Sequence, residues 1–464
     1  NLSVANGVLT VNNTGTLRLT ENEHGLATIT TASGDVQGQI TRVVDFNCNV
    51  NSTILSLVYH QFVLGLDGVK VADLIDDLPS FGFPNSDDPA YFFSSLAQWN
   101  SDAGQDETPS GMNDVLKGNE CIHLFLPANL PANLEFTLEY SGTLPNENKP
   151  VVVPDHVPLA FIGNPTNGNL KIARLQEAMG DGLRGIACWN PQTIQYDIYT
   201  QGVSTNGLNG LLQPTRACSF HTTGSAFDMT LDLSDMIANG QPFVDASAPE
   251  FLVAATISNP DGLSDEAKIV LDEGAADDLQ LADDGMNVSS AGSIDLYWTN
   301  EDDNTGASGW AIPRLSLDDN PMLTYNLVIK SIMPINNTFD VSFSEVNLGD
   351  FCAYFEMSSG VMMEVTPGLI TTVELESNAV NTPTVGTLYL IPTVKAEAVS
   401  PGCEGEGEAS MTVKASGDGP WSVSLTDANG NDVVGIADAE GVVTSFADLA
   451  SGTYTYTVVT NGTK

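Results

Sequence analysis

The sequence predicts a mainly β protein of tandem β-sandwich-like domains, with one short helix in each of two duplicated units and a small β-domain at the C-terminal end. Three observations carry this. Apolar and polar residues alternate with period two along much of the chain, between turns rich in Gly, Asn and Asp, as half-buried strands require. One long stretch occurs in two versions. Of the 464 residues, 42% are hydrophobic, enough for three or four domains that each bury a core.

Residues 1–42 come first, with Gly7-Val8-Leu9-Thr10-Val11 and Gly15-Thr16-Leu17-Arg18-Leu19-Thr20 alternating between Asn/Gly turns. This reads as a series of β-hairpins with one wet face, at the end of a solenoid-like stem. A piece of about 40 residues has too small a core to stand alone. It should pack on the next domain or on a neighbouring subunit, and its opening strand is a candidate for strand exchange.

The duplication spans 43–245, as a first copy at 43–150 and a second at 151–245. Val69-Lys70-Val71-Ala72 with Leu74 reappears as Leu170-Lys171-Ile172-Ala173 with Leu175, an offset of 171 − 70 = 101. Gln98-Trp99-Asn100 answers Gln195-Tyr196-Asp197, and Asn119-Glu120-Cys121 answers Arg216-Ala217-Cys218, both at 195 − 98 = 218 − 121 = 97. Loops absorb such a drift and packed elements do not. In each copy an apolar strand (Leu55 to Val63; Val157 to Ile162) leads through a turn into a short amphipathic helix. Its stripe is Val71, Leu74, Ile75 and Leu78 in the first copy and Ile172, Leu175 and Met179 in the second. The helices stop at Pro79 and Gly180. Asn100 to Asn119 has no apolar period and reads as a loop.

From 246 to 398 strands alternate with acidic turns, which suggests a further β-sandwich. Residues 399–464 form the last unit. There Trp421 to Leu425 turns through an Asn429-Gly430 hairpin, and an edge strand of Thr and Tyr closes it.

Several of these runs resemble a known family. Phe161-Ile162-Gly163-Asn164-Pro165, Cys188-Trp189-Asn190-Pro191, Tyr196 and the strand at Ala217 to Phe220 are similar to a segment of large modular surface proteins of Bacteroidota exported by the type IX secretion system. Asp272-Glu273-Gly274-Ala275-Ala276-Asp277-Asp278 resembles a second module of those proteins. The order from Gly419-Pro420-Trp421 to Gly452-Thr453-Tyr454-Thr455 is similar to the small immunoglobulin-like repeats of their adhesins. The resemblance covers most of the chain and carries no catalytic motif. It implies a β-rich extracellular or cell-surface protein with an immunoglobulin-like C-terminal domain, and a leader and sorting signal removed from the chain as it stands.

Charge narrows the function. Against 59 acidic side chains stand 15 basic ones, a net −44, and that field repels nucleic acid and anionic lipid while drawing cations. No run reaches the roughly 18 to 20 apolar residues of a membrane helix, so membrane insertion is not expected. Six cysteines at 48, 121, 188, 218, 352 and 403, without CxxC, suit an oxidising compartment. Cys188 with Cys218 is the favoured pair, Cys48 with Cys121 its analogue, and Cys352 with Cys403 the remainder.

The five histidines fall in no zinc spacing, and no GxSxG, GxxxxGK(S/T) or GxGxxG occurs. The acidic loops are the candidate for chemistry, because Ca²⁺ takes six to eight oxygens from Gly-containing loops. Asp261, Asp265 and Glu266, then Asp272, Asp277 and Asp278, then Asp427, Asn429 and Asp432 have that composition, as do Asp302, Asp303 and Asn304, without matching an EF-hand. Five tryptophans would make a sugar platform if exposed, although a lone Trp in a strand is more often core. The expected function is a non-catalytic secreted subunit or segment of an extracellular filament or adhesin, self-associating or glycan-bound at the cell surface. A carbohydrate-binding module is the alternative.

Overall fold

In the computed structural model the chain is built almost wholly from strands. Residues described are 2–10, 17–22, 25–26, 29–47, 57–76, 78–127, 135–144, 149–153, 159–164, 168–179, 183–190, 195–206, 208–222, 227–231, 236–237, 251–260, 264–272, 275, 284–287, 294–300, 309–316, 323–331, 338–348, 351–374, 384–392, 394–399, 409–415, 421–437, 443–449 and 453–460.

The N-terminal segment corrects one expectation. Leu2–Thr10 pairs with Ile29–Gln37, and Leu17–Leu19 with Ile40–Asn47, both in parallel. A hairpin pairs its strands antiparallel, whereas these strands run side by side in the same direction. Between the described strands of this segment itself, antiparallel pairing is confined to the short Glu21–Asn22 and Gly25–Leu26 pair. Leu19, Ile40 and Val44 pack in one cluster with Leu64, Leu124 and Tyr140, so the segment borrows the core of the first copy.

Both copies have one strand order. In the first, the neighbours are Leu57–Val63, Cys121–Pro127, Leu96–Asn100 and Gln105–Glu107. In the second they are Leu159–Gly163, Ala217–Thr222, Leu183–Asn190 and Gln195–Thr200, with Val203–Ser204 beyond. A flanking antiparallel pair accompanies each: Ile40–Asn47 with Glu135–Gly142, and Lys149–Val153 with Phe227–Leu231. The helices are Val71–Leu74 and Ile172–Met179. Val71, Leu74, Ile75 and Leu78 are all buried as the stripe predicts, but the first helix lasts one turn. Asp76 follows at its negative end, and Pro79 disfavours helical backbone at Leu78.

The hairpins fix the correspondence between copies. Asn100 pairs with Gln105 and Asn190 with Gln195, so Trp99-Asn100 matches Trp189-Asn190 at an offset of 190 − 100 = 90. The expected match of Gln98-Trp99-Asn100 to Gln195-Tyr196-Asp197 therefore compared one strand of a hairpin with the other. Gln105–Glu107 also lies inside the stretch read as a loop. All three of its side chains are exposed, and a strand without a buried face has no alternation to read.

The copies interlock. Val63 N donates to Thr215 O at 2.8 Å, and backbone bridges join Phe62 to Arg216 and Glu120 to Ile162. Trp99 packs in the cluster of the second copy with Ile162 and Leu175, while Trp189 packs in that of the first with Leu64 and Leu124. A Cβ on Gly163 would lie 1.6 Å from Val63 Cγ2, so only glycine allows this approach. Asn164, fully buried beside it, donates to Gly168 O and Leu212 O at 2.7 and 2.8 Å.

A larger sandwich follows. Its first sheet runs Arg314–Ser316, Ser264–Asp272, Phe251–Ser258, Thr338–Asn347 and Leu369–Glu374. Its second contains Gly285–Met286, Trp310–Ile312, Ile294–Thr299, Leu323–Ser331, Thr384–Pro392, Phe351–Met357 and Met362–Glu364. Val253, Ile269, Trp298, Leu327, Phe343 and Phe355 fill the space between. At the C-terminal end Val394–Val399, Ala409–Ala415, Val443–Leu449 and Ile436–Ala437 form one sheet, and Asp432–Val433, Trp421–Asp427 and Tyr454–Thr460 another. They share a core of Val413, Leu425 and Phe446.

Cys188 and Cys218 face each other across paired strands and are disulfide-bonded, as expected. The other two pairings are corrected, because Cys121 and Cys352 are free thiols. Cys121 lies in the apolar cluster with Val63 and Trp99, where burial pushes its thiol well up. Cys48 and Cys403 lie outside the described residues.

Candidate functional site

The sequence-derived ligand residues fall in two places. Asp265, Glu266 and Asp272 lie on the strand Ser264–Asp272, and Asp427, Asn429 and Asp432 on a C-terminal turn. Asp261, Asp277, Asp278, Asp302 and Asp303 lie outside the described residues.

The strand Ser264–Asp272 meets the second copy. Gln195, at the start of its strand and buried, donates from Nε2 to Ser264 O at 2.8 Å and Ile294 O at 3.1 Å. Asn206 completes the joint, its backbone N–H donating to Glu266 Oε2 at 2.8 Å and its Nδ2 to Asp265 Oδ1 at 3.0 Å. Around these polar contacts Ala187, Ile198 and Val203 pack against Val270, Ala311 and Ile312. Arg314 Nη1 reaches Gln201 O at 3.4 Å and pairs with Asp272, and its backbone N–H donates to Asp284.

Asp265 is the hub. Besides Asn206 it accepts Leu296 N at 2.6 Å and Glu266 N at 2.8 Å. Burial pushes its carboxyl up to about 8; those donors pull against the shift and the neighbouring Asp295 adds to it. Behind it, buried Asp197 is pushed up to about 6 by the same desolvation, against the pull of Arg216, whose Nη2 lies 2.9 Å away. A recess with room for about one water molecule lies among Gln195, Thr205, Asp265, Glu266 and Asp295. The Gln195 Oε1 acceptor here has no protein partner.

The arrangement therefore joins two domains through carboxylates already spent on N–H donors. The C-terminal turn is similar: Asp427 accepts Asn429 N, Asn431 N and Asn431 Nδ2 at 2.8 to 2.9 Å, and these bonds hold its carboxyl below the usual range. Asp432 accepts Thr426 Oγ1 at 3.5 Å. Among the described residues no group of three or more His, Cys, Asp or Glu is placed to hold a metal ion. His123 Nδ1 lies 2.9 Å from Asp106 Oδ2, a contact that can orient a base, but the imidazole is buried with Phe161 against its edge at 4.5 Å. Trp99, Trp189, Trp298 and Trp310 are buried, so the sugar platform these four would offer is absent. The side chain of Trp421 is outside the description.

Sequence reasoning missed Gln195, Asn206 and Arg314. The usable signal was scarcity: with 15 basic residues among 59 acids, an arginine inside a strand motif, as in Ile312-Pro313-Arg314-Leu315, is a candidate buried partner. No known family, curated protein or solved structure matches the chain.

Proposed function

We propose that the protein is a non-catalytic structural segment of an extracellular filament or cell-surface adhesin, of the kind the Bacteroidota resemblance implies. What supports this reading is where its buried polar groups are spent. Gln195, Asn206, Asp265 and Arg314 tie the second copy to the sandwich, and the exchanged tryptophans tie the copies together. Such joints transmit load and fix inter-domain angle, which a chain of modules under tension needs. The Cys188–Cys218 bond is in keeping with an oxidising, extracellular setting. Calcium enters this reading through the acidic loops around Asp261 and Asp277-Asp278. Electron microscopy and light scattering of the purified protein, with and without millimolar Ca²⁺, test it. Ordered polymers or self-association support the filament, and dispersed monomers at every concentration and ionic condition overturn it.

A further inference from the structure

The loop from Ser80 to Ser95 in the first copy presents an aromatic finger that nothing in the proposed scaffold role uses. Phe92 is 86% exposed and Tyr91 38%. Their rings stack at 4.8 Å, and both rest on Phe93, at 4.6 and 5.1 Å, which in turn contacts Phe81 and Phe125. The loop under them is braced. Ser80 N and Oγ donate to Asp87 Oδ2 at 2.9 and 3.0 Å, Ser95 N donates to Phe81 O at 2.8 Å, and Gly82 N to Asp88 O at 2.9 Å. Gly82 adopts φ +78°, and a Cβ there would lie 1.9 Å from Phe93 O. A solvated Phe gains nothing from such bracing. Preorganised, exposed rings are what a binding hot spot requires.

The charge of the stretch that carries the finger selects the partner. Residues 71–116 hold nine acidic side chains and no Lys or Arg. An aromatic face is itself electron-rich, so ring and carboxylates together favour a cation with an apolar stem. At this patch a second copy, with 15 basic residues among 59 acidic ones, is a poorer source of a cation than a basic segment of another protein. We propose that the Tyr91–Phe92 finger is a docking site for a basic segment of a partner protein, with an Arg or Lys stem lying on Phe92 and its charge facing Asp88. This does not depend on the filament reading.

The test uses the full chain and a labelled peptide of alternating Arg and Leu, followed by fluorescence polarisation at low and physiological salt. Phe92→Ala, which leaves charge unchanged, should weaken binding about tenfold at both salts, while Phe92→Tyr should retain it. Asp88→Asn should weaken binding less and flatten the salt dependence. Because the ring is exposed, circular dichroism and melting of Phe92→Ala should match the parent. If Phe92→Ala binds the peptide as the parent does, the attraction is only the general field of the chain and the proposal falls. It falls equally if a neutral glycan array gives a hit that requires Phe92 while the peptide gives none, or if Phe92→Ala changes only self-association.

Discussion

The two copies carry the same hairpin, and they use it in opposite ways. In the first copy Gln105, Asp106 and Glu107 stand in solvent, whereas in the second their equivalents Gln195, Tyr196 and Asp197 are buried or half-buried, and Gln195 bonds the sandwich. Asp197 is neutralised by Arg216, and Gln195 bonds two backbone carbonyls of the next domain. The second copy also closes a disulfide at Cys218, where the first leaves Cys121 a buried thiol. A repeat therefore fixes strand order and register, while the neighbour each copy meets decides which face becomes polar joint and which stays wet.

The comparison breaks most visibly at what the copies share. Trp99→Ala and Trp189→Ala each remove a buried indole, at a cost of about 3 to 5 kcal/mol. Because each ring sits in the other copy's core, either change should lower hydrogen-exchange protection in both copies together. Loss confined to the copy carrying the mutation would mean that they fold as separate units.

The next effect separates them. Replacing Cys188 and Cys218 together by Ala should cost about 3 to 4 kcal/mol, mostly through a freer unfolded chain. Reduction of the parent should have a like effect on melting. Cys121→Ala should cost much less, since it removes one sulfur from the shared core. Equal losses from the two changes would erase the distinction.

The shared helix stripe, the apolar strands and the Cys188–Cys218 pair were legible because burial imposes a period and a spacing. The edge strand Gln105–Glu107 was not, because no face of it is buried. The joint was also out of reach. Gln195 and Asn206 look like ordinary turn residues, and what makes them structural is a carbonyl or carboxylate 59 to 99 residues away. The acidic residues on Ser264–Asp272 were found as oxygen donors, but sequence could not tell that Asn206, Leu296 and Arg314 already occupy them. Parallel stacking at the N-terminal end was hidden for a related reason: alternation reports which face is wet and is silent on strand direction.

The joint between the second copy and the sandwich should also carry a pH dependence above neutrality, through Asp265 of the sandwich. Asp265 has its folded pKa raised to about 8, so folding takes up a proton between its unfolded value near 4 and 8. That contribution is complete below pH 4 and is lost as pH rises through 8. Buried His60 runs the other way: its pKa is lowered to about 3, so its contribution is present above pH 6.5 and lost as pH falls toward 3. Between pH 6.5 and 8 the Asp265 slope should therefore stand alone, up to about 1.4 kcal/mol per unit. Melting curves of Asp265→Asn should be flat over that window while the parent declines. A parallel decline in both would assign the slope to another group.

The smallest effect is the sharpest test, because it changes one residue type at one topological position. Gln195→Ala removes the two hydrogen bonds to Ser264 O and Ile294 O, which should cost about 1 to 3 kcal/mol. Gln105→Ala deletes an exposed side chain at the matching place and should stay within about 0.5 kcal/mol of the parent. The Gln195 change should also loosen the joint before the domains unfold, so protection should fall first along Ser264–Asp272 and Ile294–Thr299. If the two glutamines cost the same, the hairpin of the second copy is not what holds the sandwich. The Asn206 and Arg314 hydrogen bonds and the apolar cluster of Ile198 and Ile312 would then have to carry the joint.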